Sequence, residues 1–150
     1  MVYEKIVKLP CSIEEAFAFH TDIKNLPKLS PPDTHVQIVS APQNFEKGAI
    51  IKLKAQKGVR TMQWEVKIDA FNPPNYFTDT ALVSPFKSWK HTHSFFESGG
   101  EVYMKDSVEF TLPFGWFGRL FHQYVLNELE TMFSYRHKAV VELLDDDLVV

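Results

Sequence analysis

The fold is decided by the stretch from Phe86 to Leu112, which reads FKSWKHTHSFFESGGEVYMKDSVEFTL. On both sides of Gly99-Gly100 apolar and polar residues alternate, and alternation with a period of two is typical of a strand that buries one face. A glycine pair between two such runs is a common hairpin connection. The stretch therefore predicts two long antiparallel strands, Phe86–Phe96 and Glu101–Leu112.

The same alternation continues through the preceding part of the chain. Clusters of Gly, Pro and Asn separate the runs, and gaps this short indicate an antiparallel meander rather than parallel crossovers. We therefore expect one continuous antiparallel sheet of about seven strands. The further predicted strands are Tyr3–Leu9, Val36–Ser40, Ala49–Ala55, Arg60–Phe71 and Tyr76–Leu82.

Two short helices are predicted directly after the first strand. Ser12 precedes Glu15 at the spacing of a capping box, in which the serine side chain accepts a hydrogen bond from the first turn of a helix. Asp22 is placed to cap a second short helix, which we expect to end at Pro27 or in the loop around Pro31-Pro32.

A long carboxyl-terminal helix is predicted after Pro113-Phe114-Gly115, where the apolar period changes to that of an α-helix. Because negative charge is unfavourable at a helix carboxyl end, the helix should end at Asp145-Asp146-Asp147 and leave 148–150 as a loose tail. The apolar stripe predicted to pack on the sheet consists of Phe117, Leu120, Phe121, Tyr124, Val125, Leu129, Met132, Phe133, Val140 and Leu144.

The composition fits one globular domain that covers residues 1–150. The chain has 150 residues, 45% of them hydrophobic, and a formal net charge of -3. Its 16 Lys and Arg against 19 Asp and Glu, with no basic run, argue against the phosphate-neutralising surface that a nucleic-acid partner requires. A single cysteine, no secretory signal and no apolar run of about 20 residues predict a cytoplasmic protein without stable membrane insertion.

Alternation also assigns polar side chains to the inner face of the sheet. His91 and His93 share a face with Trp89 and Phe95. Asp106 falls among the inward-facing apolar residues of the next strand. The chain is 14% aromatic, so these three polar groups are expected to lie in surroundings made largely of aromatic rings.

Two hairpin registers bring a histidine next to Asp106. A two-residue Gly99-Gly100 loop pairs His93 with Asp106, whereas a Ser98-Gly99 loop pairs His91 with it. Three roles stay open: a pair that only fixes the register, the polar end of a ligand cavity, or a metal site of two histidines and one carboxylate. Such an arrangement is ordinary in sheets, so we predict no metal and no cofactor.

The order of a strand, two short helices, a six-strand meander and a long carboxyl-terminal helix resembles the helix-grip fold of the START and SRPBCC superfamily, which includes the birch-pollen allergen type. The resemblance covers essentially the whole chain and implies an α+β fold in which a curved antiparallel sheet wraps around the long helix. The chain is similar to a bacterial branch described as ligand-binding SRPBCC proteins, some of which are labelled cell-division inhibitors. The motifs that carry the resemblance are Pro85-Phe86-x-x-Trp89-x-His91-x-His93-x-Phe95, Met104-x-Asp106-x-Val108, Pro113 and Phe133-x-Tyr135-Arg136.

The resemblance implies a cavity between the sheet and the helix, used in the superfamily for lipids, sterols, polyketides, prenylated quinones or plant hormones. We therefore predict a carrier or sensor that binds, without catalysis, a small hydrophobic ligand such as a lipid, quinone, polyketide or aromatic compound. His91, His93 and Asp106 would orient the polar end of this ligand. The predicted ligand-binding residues are Trp64, Phe77, Trp89, His91, His93, Phe95, Met104, Asp106, Val108, Leu129, Met132 and Phe133.

An enzymatic function stays open beside the binding function, since the superfamily also includes polyketide cyclases and dehydratases. In a cyclase, dehydratase or hydrolase of this kind, His91 or His93, oriented by Asp106, would move a proton on a bound carbonyl compound. No nucleophile, oxyanion hole or cofactor motif specifies a reaction here. No catalytic set is shared across the superfamily, so none is transferred to this chain.

Other aromatic and basic residues are assigned structural roles. The stretch Pro113–Gly118 is interpreted as a buried staple at the helix start rather than an entry gate or a membrane anchor, and transient membrane contact stays open. Arg136 could reach an acidic group of a ligand, but it is assigned to a surface or helix-end salt bridge. Four histidines without cysteine partners are placed on the surface, which argues against a structural zinc site: His20, His35, His122 and His137.

Overall fold

The computed structural model of the chain describes residues 1–145, so the tail expected at 148–150 lies outside the described residues. Within them the chain has the expected α+β arrangement, a seven-stranded antiparallel sheet with a long helix near the carboxyl end. None of the helices in this part of the chain is long and apolar enough to span a bilayer. The strands are β1 (Val2–Leu9), β2 (Thr34–Ser40), β3 (Ile50–Lys57), β4 (Arg60–Asn72), β5 (Tyr76–Val83), β6 (Ser88–Ser98) and β7 (Glu101–Thr111). The helices are α1 (Ile13–Thr21), a 3₁₀ helix (Ile23–Leu29), α2 (Trp116–Arg119) and α3 (His122–Leu144).

The strands of the sheet follow the order β1-β7-β6-β5-β4-β3-β2, so β2 to β7 form a meander and β1 pairs with its last strand. The β6–β7 hairpin pairs Ser98 with Glu101 across the two-residue turn Gly99-Gly100. Both glycines have positive φ angles, 60° and 80°, as a turn this tight requires. The turn thereby sets the register in which His93 lies opposite Asp106.

The short helices begin where the capping residues predict. The hydroxyl oxygen of Ser12 accepts a hydrogen bond from the backbone N–H of Glu15 at 3.1 Å. The Asp22 carboxylate accepts one from the backbone N–H of Lys24 at 3.2 Å. The second helix is a 3₁₀ helix that runs past its internal proline and ends at Leu29.

Apolar packing between the sheet and the helices is divided into two clusters along β6. At one end, Phe95 contacts Phe17 of α1, with ring centroids 5.8 Å apart. At the other end, Trp89 packs with Phe110 of β7 and Phe133 of α3. The two histidines of β6 lie between these clusters, which places polar side chains in the middle of an apolar interior.

The predicted long helix differs from the structure in its first turns. The chain forms the separate helix α2 before α3, and α2 packs through Gly118, where an added Cβ atom would clash with the carbonyl oxygen of Pro113. This close backbone contact leaves the large side chains around Gly118 facing outward. The fully buried residues of the predicted stripe are Leu129, Phe133 and Val140. The stripe positions that are more than half exposed are Phe117, Leu120, Phe121 and Tyr124.

Candidate functional site

A cavity of about 1020 Å³ lies between the inner face of the sheet and the helices. Most of the side chains around it are apolar, and they come chiefly from β3, β4, the 3₁₀ helix and α3. Most of the residues that the sequence predicted to bind a ligand are part of this lining. They are Trp64, Phe77, Trp89, His91, His93, Met104, Asp106, Leu129 and Met132.

Three predicted ligand-binding residues lie in the apolar core instead. Phe95, Val108 and Phe133 are fully buried and do not line the cavity. Phe95 contacts Phe17 of α1, and Phe133 stacks on Tyr3 of β1 with ring centroids 5.4 Å apart. The structure corrects the prediction for these residues, because their side chains fill the places where the helices touch the sheet.

Five polar side chains from β5, β6, β7 and α3 form a polar cluster beside the cavity: Asp79, His91, His93, Asp106 and His137. His91 Nε2 donates a hydrogen bond to Asp106 Oδ1 at 2.7 Å, and His137 Nε2 donates one to Asp106 Oδ2 at 2.5 Å. His93 Nε2 lies 2.9 Å from Asp79 Oδ2. Asp106 is 1% exposed, so the network surrounds a carboxylate that bulk water does not reach.

The contacts of the polar cluster follow the diagonals of the sheet rather than its direct cross-strand pairs. Asp79 lies opposite His91, and Asp106 lies opposite His93. The shortest contacts instead join His91 to Asp106 and His93 to Asp79. Diagonal neighbours are within reach of long side chains, and the two imidazole rings lie with their centroids 3.7 Å apart. The sequence allowed either histidine to pair with Asp106. In the structure, His91 makes the hydrogen bond to Asp106.

Both carboxylates of the polar cluster are stabilised in their charged form. Burial alone raises the pKa of Asp106, but hydrogen bonds from His137 and His91 outweigh this effect and hold the pKa well below its usual value. The pKa of Asp79 is likewise lowered, because hydrogen bonding with His93 and the nearby charges outweigh burial. Burial lowers the pKa of His93, which favours the neutral ring.

Arg136 of α3 adds a positive charge to the wall of the cavity. Its guanidinium carbon lies 5.9 Å from the centre of the Phe133 ring. Burial lowers the pKa of Arg136, whereas the charges of Asp106 and Asp79 raise it. The assignment of Arg136 to a surface salt bridge was wrong, because Arg136 follows Met132 by one helical turn on the face toward the cavity.

Two members of the polar cluster, Asp79 and His137, were not predicted from the sequence as site residues. Asp79 alternates with Phe77 and Ala81, so the period of β5 carried the signal of an inward-facing carboxylate. His137 was placed on the surface, but it is buried one helical turn after Phe133 in the stripe of α3. In both cases the local period was informative, and only the identity of the side chain argued against burial.

His20 of α1 also lines the cavity, which corrects its predicted surface position. Its Nδ1–H donates a hydrogen bond to the carbonyl oxygen of Ala16, one turn earlier, at 2.7 Å. Burial lowers the pKa of His20 to about 4, so its ring is neutral at pH 7. Of the other histidines assigned to the surface, His35 is exposed and His122 is half-buried.

An aromatic patch lies on the surface beside the cavity, formed by Phe114, Trp116, Phe117, Leu120, Phe121 and Tyr124. Phe114 is 84% exposed and Trp116 is 68% exposed, so the interpretation of this stretch as a buried staple was wrong. The close packing of Gly118 is the physical reason, since the helix is held there by its backbone. Tyr124 belongs both to the patch and to the cavity lining, which places the patch at the rim of the cavity.

Solved structures of other proteins have the same fold. Protein CV1439 from Chromobacterium violaceum matches with a TM-score of 0.77 at 10% sequence identity, over 96% of this chain and 97% of that chain. Ginseng major latex-like protein 151 from Panax ginseng matches with a TM-score of 0.70 at 9% identity, over 96% of this chain and 97% of that chain. Ara h 8.0201 matches with a TM-score of 0.65 at 20% identity, over 95% of this chain and 98% of that chain.

These similarities define the class of fold. The chain has the helix-grip fold of Bet v 1-like and SRPBCC proteins, as the resemblance in its sequence predicted. Identities this low establish the fold and leave the function to be argued from the site. No protein-family model matches the chain, and no curated protein sequence matches it.

Proposed function

We propose that the protein binds a small, predominantly hydrophobic molecule between the sheet and α3, as a carrier or sensor and without chemical conversion. The observation that carries the proposal is a cavity of about 1020 Å³ with mostly apolar walls and the polar cluster at one side. Ligand sites commonly have volumes of about 300–1000 Å³ and combine apolar walls with a few convergent polar groups. The volume suits a lipid, a quinone, a polyketide or a polycyclic aromatic compound.

The chemistry of the walls narrows the class of ligand. Side chains such as Trp64, Leu53 and Met132 favour a ring system or an alkyl chain over a polar molecule. At the polar wall, a carboxylate on the ligand would face the negative charges of Asp79 and Asp106, and the single positive charge of Arg136 offsets only one of them. A neutral carbonyl or hydroxyl group is therefore the polar end that fits this cavity best.

Two tryptophan substitutions on β3 test the proposal. Leu53 lines the cavity, whereas Lys54 is the next residue on the same strand and faces solvent. Leu53→Trp fills part of the cavity and is expected to weaken the binding of a hydrophobic probe by about tenfold or more. Lys54→Trp adds the same side chain on the outer face and is expected to leave binding unchanged. Displacement of the neutral dye Nile red by oleyl alcohol and by a neutral quinone measures the affinity.

Native mass spectrometry gives a second measurement on the same variants. A co-purified small molecule is expected in the parent protein and in Lys54→Trp, and is expected to be absent from Leu53→Trp. The finding of no co-purified molecule, together with no displaceable probe in the parent protein, would contradict the proposal.

An enzyme of the cyclase, dehydratase or hydrolase type is the second candidate, favoured by the orientation of His91. Its Nε2–H is held by Asp106 at 2.7 Å, and Asp106 is itself held by His137. An imidazole kept in one tautomer by a buried carboxylate is a common arrangement for a general base. In this candidate function His91, or His93 beside it, moves a proton on a bound carbonyl compound.

Proton exchange separates the enzyme from the carrier. If the protein is an enzyme of this type, a bicyclic aromatic ketone bound in D₂O is expected to exchange the protons next to its carbonyl, as followed by NMR. His91→Gln is then expected to lose this exchange while it still binds the ketone. Binding of the ketone by the parent protein without any accelerated exchange would reject the enzyme and leave the carrier.

A further inference from the structure

We propose that Asp79, His91 and His93 form a binding site for one divalent transition-metal ion, Zn²⁺ or Fe²⁺, at the polar wall of the cavity. One ligand atom from each residue lies within 4.8 Å of the others. Asp79 Oδ2 lies 2.9 Å from His93 Nε2 and 4.0 Å from His91 Nδ1. Two imidazole nitrogens and one carboxylate oxygen are a ligand set that zinc and non-haem iron sites use. The proposal does not depend on an organic ligand in the cavity.

Asp106 lies behind both imidazoles. It accepts the Nε2–H of His91 at 2.7 Å, so a neutral His91 ring carries its lone pair on Nδ1, the nitrogen nearer to Asp79. Asp106 Oδ1 also lies 3.3 Å from Nδ1 of His93, so metal binding would move the His93 proton from Nε2, which is hydrogen-bonded to Asp79, to Nδ1. A carboxylate behind a metal-binding histidine commonly fixes its tautomer in this way.

His93 has an electrostatic conflict that a cation removes. Its two nitrogens face two carboxylates, Asp79 at 2.9 Å and Asp106 at 3.3 Å. A neutral imidazole has a single N–H and a single in-plane lone pair, so the lone pair is directed at the carboxylate that does not accept the N–H. A metal ion between His93 Nε2 and Asp79 Oδ2, with the ring proton on Nδ1 facing Asp106, replaces this repulsion with two coordinate bonds. The competing explanation is a second proton on the His93 ring.

The charge around the three ligands suits a divalent cation. Asp79 and Asp106 each place a carboxylate oxygen within 4.0 Å of both imidazoles, whereas Arg136 contributes one positive charge to the same wall of the cavity. With neutral imidazoles this group of side chains keeps a net negative charge beside the proposed ligand atoms. Buried negative charge of this kind is commonly compensated by a bound cation.

The spacing of the ligand atoms is close to that of a bound ion. Tetrahedral zinc with bonds of about 2.1 Å places its ligand atoms about 3.4 Å apart. The distances of 2.9 Å and 4.0 Å from Asp79 Oδ2 to the two histidine nitrogens lie on either side of this value, and all three ligand atoms lie within 4.8 Å of one another. All three residues line the cavity, which leaves a further coordination position open to water or to a ligand oxygen.

Metal titration of tag-free, chelator-treated protein tests the proposal. One equivalent of Co²⁺ is expected to bind the parent protein with visible d–d absorption bands, and Zn²⁺ is expected to displace it. His93→Ala and Asp79→Ala remove ligands and are expected to weaken Co²⁺ binding by about tenfold or more. Asp106→Asn changes a residue behind the ligands and is expected to weaken binding by about 10–100-fold. The exposed histidine of β2 supplies the matched control, His35→Ala, which is expected to keep the parent affinity.

A spectroscopic readout on the parent protein keeps the test independent of whether a variant folds. In nitrogen-15 spectra of the histidines, Zn²⁺ is expected to shift Nδ1 of His91 and Nε2 of His93. Three outcomes would overturn the proposal: no binding at one equivalent, binding that survives in both His93→Ala and Asp79→Ala, or a doubly protonated His93 whose signals do not respond to Zn²⁺. Leu53→Trp distinguishes this site from ligand binding, because it is expected to lose the hydrophobic probe and to retain the metal.

Discussion

The polar cluster and the aromatic patch distribute their side chains in opposite ways. The polar cluster places two carboxylates and three histidines inside the molecule, with Asp106 1% exposed. The aromatic patch places five aromatic rings and a leucine outside, with Phe114 84% exposed. Buried charge costs free energy unless it is paired, and large apolar patches are rare on monomeric surfaces. Such departures from the usual distribution tend to occur where a protein has a function.

The two regions differ in how this cost is offset. In the polar cluster, hydrogen bonds from His91 and His137 satisfy both oxygens of Asp106, so the network is part of the folded interior. In the aromatic patch, Trp116 and Phe117 stack on each other with ring centroids 4.2 Å apart, yet both stay more than half exposed. The polar cluster therefore contributes to the stability of the fold, whereas the aromatic patch contributes little to it.

Replacement of Asp106 by alanine is expected to have the largest effect on stability. The change leaves His91 and His137 buried without their acceptor, and removal of one partner from such a buried pair costs about 3–5 kcal/mol in the free energy of unfolding. Urea denaturation of metal-free protein at pH 7 measures this loss. The control is Asp69→Ala on the exposed face of β4, with an expected loss of about 1 kcal/mol or less. Equal losses of stability in Asp106→Ala and Asp69→Ala would contradict the expectation that the polar cluster contributes more to stability than the exposed face of β4.

Acidification from about pH 7 to about pH 4.5 is expected to lower the free energy of unfolding by about 2–3 kcal/mol through His20. The folded pKa of about 4 lies below the ordinary histidine value of 6.5, so the unfolded chain binds the proton more readily. Stability is therefore lost as the pH falls from about 6.5 toward 4. The pKa of the Asp106 carboxylate is depressed below its ordinary value. Its contribution to stability is therefore lost at a lower pH than that of His20, as the carboxylate becomes protonated.

His20→Phe provides the control for this pH dependence. The variant has no titrating group at this position and is expected to have a flatter profile of urea midpoint against pH. A profile that matches the parent protein between about pH 6.5 and pH 4.5 would rule out His20 as its cause.

Gly118→Ala is expected to lower the free energy of unfolding by about 1–3 kcal/mol, because the new methyl group overlaps the backbone of Pro113. The effect tests whether the aromatic patch is held in place by the backbone beneath it. Arg119→Ala, an exposed position on the same short helix, is the control, with an expected change within about 0.5 kcal/mol. Thermal or urea denaturation compares the two, and an unchanged stability of Gly118→Ala would contradict the packing at this position.

Phe121→Ala in the aromatic patch is expected to have the smallest effect, within about 0.5 kcal/mol, because its ring is more than half exposed. Retention of the protein on a hydrophobic-interaction resin is expected to decrease at the same time. Phe133→Ala, on the buried stripe of the same helical region, is the contrast, with an expected loss of about 3–5 kcal/mol. A loss above about 1 kcal/mol for Phe121→Ala would mean that the patch contributes to folding after all.

The strands and the inner face of the sheet could be predicted because alternation is a local property. The predicted Arg60–Phe71 corresponds to β4, which ends one residue later at Asn72. The inward direction of Asp106 followed in the same way from its apolar neighbours on β7, and Asp106 is buried as expected. The exposed first turns of the long helix could not be predicted, because the stripe pattern continues there and only the contact of Gly118 with Pro113 turns those residues outward.

The amino-acid order by itself determined the antiparallel meander, the capped short helices and the inward direction of His91 and His93, because caps, turns and alternation depend on residues a few positions apart. Only the tertiary structure decided that His91 holds Asp106, that His137 completes this network, and that a cavity separates α3 from part of the sheet. The physical reason is distance along the chain, since His137 and Asp106 are 31 residues apart and meet only when the helix packs across the strands.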